Sequence, residues 1–106
     1  MNITENLIEV FKNLMEESYE VLNTRHLGYM NIEFIEAGKF NAWRDKILTV
    51  IGASKLEIPD VVQTIKDLNP EYPSSVKALN NSLTSIIELL EIMPLATRKK
   101  INLIIL

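Results

Sequence analysis

Cysteine is absent from these 106 residues, histidine occurs once and glycine three times. Without thiols the chain forms neither disulfides nor thiolate zinc sites, and a secreted disulfide scaffold is excluded. The lone His26 leaves a structural zinc site with too few soft ligands. No Gly-x-Ser-x-Gly elbow presents a serine to it. Its place just past a helical stripe suits contact with helix-end carbonyls better than catalysis. Gly28, Gly38 and Gly52 are too scattered for a Gly-x-x-x-x-Gly-Lys or Gly-x-Gly-x-x-Gly phosphate loop. No apolar run approaches the roughly 18 residues of a membrane span. The start Met1-Asn2-Ile3-Thr4-Glu5 lacks the basic opening and apolar run of a secretion signal. We therefore expect a cytoplasmic protein, not an enzyme, with no cofactor and no catalytic or metal-binding residue.

A strong charge excess is missing too. The net charge is −3 and the pI about 5.1. Acid gathers at the start, where Glu5, Glu9, Glu16, Glu17 and Glu20 face Lys12 alone. Base gathers in the run Arg98-Lys99-Lys100. Three cations make too small a patch for nucleic acid, and no nucleic-acid partner is expected. Glu16, Glu17, Glu20, Arg98, Lys99 and Lys100 form the candidate surface for a protein partner. Their opposite signs also offer pairing between two copies, a homodimer. The carboxylate pairs Glu16 and Glu20, Glu33 and Glu36, and Glu88 and Glu91 each fall on one helical face by spacing. No Glu-x-x-His pair accompanies them as in a di-iron bundle, so they read as solvated faces.

What is present is helical periodicity. Ile3, Leu7, Val10, Phe11, Leu14, Met15, Val21 and Leu22 recur at steps of three and four, predicting one helix over residues 3–22. Residues 29–38 fit either a short helix or an extended run, with Glu33, Glu36 and Ala37 leaning to helix and Gly38 breaking it. Phe40, Trp43, Ile47, Leu48, Val50 and Ile51 predict a helix over residues 39–51 stopped by Gly52. Trp43 is expected in the core beside Phe40 and Ile47. Ser54 with Glu57 reads as a capping box before Pro59. Val61, Val62, Ile65 and Leu68 then mark a helix over residues 59–68. Two prolines, Pro70 and Pro73, make a loop. Ser74 or Ser75 caps a last helix carrying Val76, Leu79, Leu83, Ile86, Ile87, Leu90 and Met93. No two runs alternate around a hairpin turn. Five of the last six residues are apolar. Such an ending docks into the core or marks the N-terminal part of a longer protein, and we lean to the second. The expectation is a single all-α domain over residues 1–106, an antiparallel bundle of four to five helices.

Phe40-Asn41-Ala42-Trp43-Arg44-Asp45, then two aliphatic turns, then Gly52-Ala53-Ser54, resembles the small helical domains at the N-terminus of some bacterial anti-phage defence proteins. Those domains precede nucleotide-sensing, TIR-type or abortive-infection effectors. The resemblance rests on Phe40, Trp43, Gly52 and Ser54 and spans residues 32–90. It implies an all-helical interaction or oligomerisation module with an effector downstream. The alternative is a small stand-alone inhibitor or immunity-type protein that binds one target through its acidic first helix.

Overall fold

The computed structural model describes residues 3–92. The basic run Arg98, Lys99 and Lys100, the apolar ending at 101–106 and Met93 lie outside the described residues. The elements in chain order are α1 (Ile3–Glu16), α2 (Ser18–Leu22), β1 (His26–Leu27), β2 (Glu33–Phe34), α3 (Ala37–Ser54), α4 (Pro59–Lys66) and α5 (Pro73–Ile92). The fold is all-α, a small helical bundle to which one short hairpin is added.

The stripes read from the sequence are the faces that meet. Leu7, Phe11 and Leu14 of α1 and Val21 of α2 are buried, as are Phe40, Trp43, Ile47 and Ile51 of α3. From α5 come Val76, Leu79, Leu83, Ile86, Ile87 and Leu90, and from α4 only Ile65. Val61, Val62 and Leu68 pack half-buried against this core. The longest helix, α5, lies chiefly along α1.

The expected single helix over residues 3–22 is broken at Glu17. The last α1 bond is Glu17 N–H to the Asn13 carbonyl, at 3.3 Å. The carbonyls of a helix's final turn need partners from elsewhere, and Trp43 supplies one. Its indole Nε1–H donates to the Leu14 carbonyl at 2.7 Å in a buried setting. The ring also meets Phe40 edge-on, centroids 5.9 Å apart. Trp43 is thus a core residue, as its spacing suggested.

Three expected boundaries move. Gly38 lies in the first turn of α3 and does not break it. Gly52 does not stop α3, which runs on to Ser54 and ends in left-handed Lys55 (φ 53°, ψ 34°). Carrying on two residues buries Ser54, whose hydroxyl donates to the Ile51 carbonyl at 2.9 Å. Ser54 therefore closes α3 and caps nothing after it; α4 begins from Ile58 with Pro59 in its first turn and no side-chain cap. Likewise α5 starts at Pro73, before either serine, with Ser75 N–H bonded to the Tyr72 carbonyl at 3.0 Å.

Arg44 has a structural use that its spacing concealed. Its guanidinium reaches the C-terminal end of α4 and donates Nη1 to the Leu68 carbonyl at 2.6 Å. The Ile65 and Lys66 carbonyls stand at 3.4 Å from the same nitrogen. Nη2 donates to Asn41 Oδ1 at 2.7 Å, and the group lies 5.1 Å from the Phe40 ring centroid. A planar cation with a fork of donors suits orphan carbonyls and an aromatic face together.

Urea unfolding tests both anchors. Trp43→Ala should cost about 3–5 kcal/mol. Trp43→Phe keeps an aromatic but strands the Leu14 carbonyl, and should cost about 1–3 kcal/mol. Equal stability of Trp43→Phe and the parent would remove the hydrogen bond from the account. Arg44→Ala should cost about 1.5–3 kcal/mol, and Arg44→Lys should recover only part of that because lysine lacks the fork.

Candidate functional site

The acidic residues singled out in the sequence do not form a one-signed surface. Glu17 and Glu20 line a shallow groove between α2 and α3 together with Lys39 and Lys46, over Val21, Ala42 and Trp43. Lys46 Nζ donates to Glu17 Oε1 at 2.6 Å. Exposed pairs of this kind contribute about 0.2–1 kcal/mol. Glu16 is exposed and lies outside this groove. The break at Glu17 also parts Glu16 and Glu20 onto different helices. Glu33 sits on β2 and Glu36 precedes α3, so that pair does not share a helix face either. Among the described residues no group of three or more His, Asp or Glu is placed to hold a metal ion.

Three of the four residues behind the defence-domain resemblance belong to the interior. Phe40, Trp43 and Ser54 are buried. Gly52 is exposed in α3, and a Cβ built on it meets nothing within 4 Å. His26, too, is away from a helix end: it is exposed on β1, its Nδ1 3.0 Å from the Thr24 carbonyl.

A second surface, which sequence periodicity missed, lies on the segment left open between helix and extended run. Residues 26–34 form an antiparallel hairpin, with His26 opposite Phe34 and Leu27 opposite Glu33. Its tip is a single 3-10 turn, Tyr29–Asn31. Ile32 N–H bonds the Tyr29 carbonyl at 3.2 Å around Met30 and Asn31. Both central residues are left-handed, with φ of 58° and 59°. The register leaves the three residues Tyr29–Asn31 in the loop, and left-handed loop positions normally select glycine or asparagine. Asparagine tolerates the left-handed region, whereas methionine pays about 1–2 kcal/mol there.

The base of the hairpin is firmly held. Thr24 Oγ1 donates to the Val21 carbonyl at 2.6 Å and accepts from Glu36 N–H at 2.8 Å. Ile35 is buried and its N–H donates to the Glu71 carbonyl at 2.9 Å. The Phe34 ring lies between His26 and Tyr72, with centroids at 6.2 and 5.6 Å. Gly28 makes room for that ring: a Cβ there would stand 2.5 Å from Phe34 Cδ2 and Cε2.

The tip is the reverse. Tyr29 is 83% exposed, Met30 75%, Leu27 69% and Ile32 45%. Four large apolar side chains within six residues are thus exposed on an anchored base.

Met30→Gly should raise stability by about 1 kcal/mol in thermal or urea unfolding, because glycine adopts φ 58° without a Cβ clash. A loss of stability would show that the Met30 side chain holds the fold and is not displayed for a partner.

No protein-family model, no curated protein and no solved structure matches this chain.

Proposed function

We propose that the chain is a non-enzymatic protein-interaction module that docks through its hairpin tip. One observation carries this: Tyr29 and Met30 stand 83% and 75% exposed at a left-handed turn whose base is hydrogen-bonded to the bundle. Fully exposed, such side chains cost roughly 25 cal/mol per Å² of apolar surface left in water. A protein partner that covers them recovers that free energy without disturbing the helices. Tyrosine suits the role, bringing a large rigid face and a polar end with little rotamer entropy to lose.

The resemblance to N-terminal domains of anti-phage defence proteins fits a module of this kind, and we place it in a prokaryotic defence system, in the cytoplasm. Among the described residues no helix is long and apolar enough to cross a membrane. The inhibitor or immunity-type alternative requires a target cationic enough to outcompete Lys39 and Lys46 for Glu17 and Glu20. The groove geometry favours the hairpin instead.

A photo-crosslinking side chain placed at position 30 should capture a protein, a second copy included, in the cells that make the chain. The same group at exposed Thr49 on α3 should capture none. Tyr29→Ser should abolish the adduct while leaving the helical circular-dichroism signal intact. Equal adducts from both positions, or none from position 30, would overturn the hairpin as the docking element.

A further inference from the structure

The chain has four methionines, Met1, Met15, Met30 and Met93, and no thiol to compete with them for an oxidant. Of the two among the described residues, Met15 is half-buried and packs against the core. Met30 is 75% exposed and is not among the side chains packed on the core. An oxidant must reach the sulfur lone pair, so a thioether's susceptibility follows its exposure. Met30 is also surrounded at the loop by exposed Leu27, Tyr29 and Ile32. Residues 27–32 carry no charged side chain, so a new polar group at Met30 changes the character of the tip.

We propose that Met30 is a site of reversible oxidation: a peroxide converts its thioether to the sulfoxide, and the sulfoxide weakens the contact made through the hairpin tip. The second half rests on the hairpin being the docking element and names how that element is regulated. In the step, a lone pair of the Met30 sulfur attacks one oxygen of hydrogen peroxide. The S–O bond forms as the O–O bond breaks, and the sulfur gives up two electrons. The departing hydroxide takes the proton and leaves as water. Methionine sulfoxide reductases, one for each sulfur epimer, restore the thioether.

Position decides what the added oxygen does. At Met15 it would set a strong dipole against apolar side chains and disturb the core. At Met30 it stays in water. The hydrogen bonds that close the loop run between main-chain groups, Gly28 N–H to Ile32, Asn31 N–H to Gly28 and Ile32 N–H to Tyr29, and use nothing of the Met30 side chain. The fold therefore tolerates the sulfoxide. A partner surface does not, because covering Met30 would strip water from the sulfoxide oxygen, a cost that the thioether does not carry. The coupling is reciprocal. A partner that covers Met30 shields its sulfur from peroxide, and an oxidised Met30 disfavours the partner.

Peptide mapping of the full chain after brief exposure to hydrogen peroxide tests the first half. One added oxygen, about 16 Da, should appear on Met30 about tenfold faster than on Met15. The helical circular-dichroism signal should be unchanged, and the two reductases should reverse the addition. Oxidation of Met30 no faster than Met15, or a sulfoxide at Met30 that lowers the helical signal, overturns the site. The second half is read from a photo-crosslinking side chain at position 27, which leaves Met30 in place. The untreated chain and the chain singly oxidised at Met30 are each irradiated in extract of the cells that make it. The adduct of the untreated chain should fall about tenfold on oxidation and return after reductase treatment. An adduct indifferent to oxidation overturns the regulation. Absence of any adduct from the untreated chain removes the docking reading and the regulation with it, while the map alone decides the site.

Discussion

The hydrogen bond from the Trp43 indole to the Leu14 carbonyl is the contact on which the arrangement turns. It joins the middle of α3 to the place where α1 stops, so it fixes both the position of a helix and the site of a break. A continuous helix over residues 3–22 would satisfy its Leu14 carbonyl internally. The break instead gives that carbonyl to a side chain 29 residues away. It also redirects the chain, so that α2 leaves at Leu22 towards Thr24, the residue that ties the hairpin base to Glu36. Sequence, local geometry and tertiary packing meet in one buried donor–acceptor pair. Burial raises the stakes, because an unmet carbonyl in the core costs more than the bond contributes when made.

The hairpin inherits its properties from that anchorage. An isolated two-stranded hairpin is marginally stable in water, and these strands are two residues long. Its persistence here depends on the bundle: buried Ile35, the Glu71 carbonyl, and the row of rings His26, Phe34 and Tyr72. With the base held from one side, the tip is free to carry apolar groups that contribute nothing to the core. The left-handed Met30 is tolerable for the same reason. A strain of about 1–2 kcal/mol in a free peptide would open the turn, whereas here it is offset by contacts several residues away.

Helical stripes were legible in the sequence because burial alone determines them. The apolar positions of α1, α3 and α5 at steps of three and four became the core with few exceptions, Val10 among them at 40% exposure. Features set by single long-range hydrogen bonds were not legible. Nothing in the stretch around Glu17 announces a break, because its cause lies in Trp43. Nothing in the sequence marks Arg44, because its partners are backbone carbonyls, which no side-chain pattern encodes. Gly52 suggested a stop, yet Ser54 has a buried place to fill, and packing prevailed over a local preference. The hairpin was hidden for a further reason: its three-residue loop, Tyr29–Asn31, has no glycine to announce a turn, and its two-residue strands are too short to show alternation.

That concealment bears on where function lies. Of the two left-handed residues in the loop, Asn31 suits its backbone and Met30 does not. Replacing Met30 by glycine would suit the backbone better, yet the chain carries a large thioether side chain there and holds it in water. The acidic face offers no comparable tension. Glu17 already has its lysine, and Glu20 shares a groove with two cations, so a partner arriving there would have to break one salt bridge to form another, a near-neutral exchange between solvated charges. At the hairpin nothing has to be broken. A contact there would displace only water and leave the bundle behind it as it is.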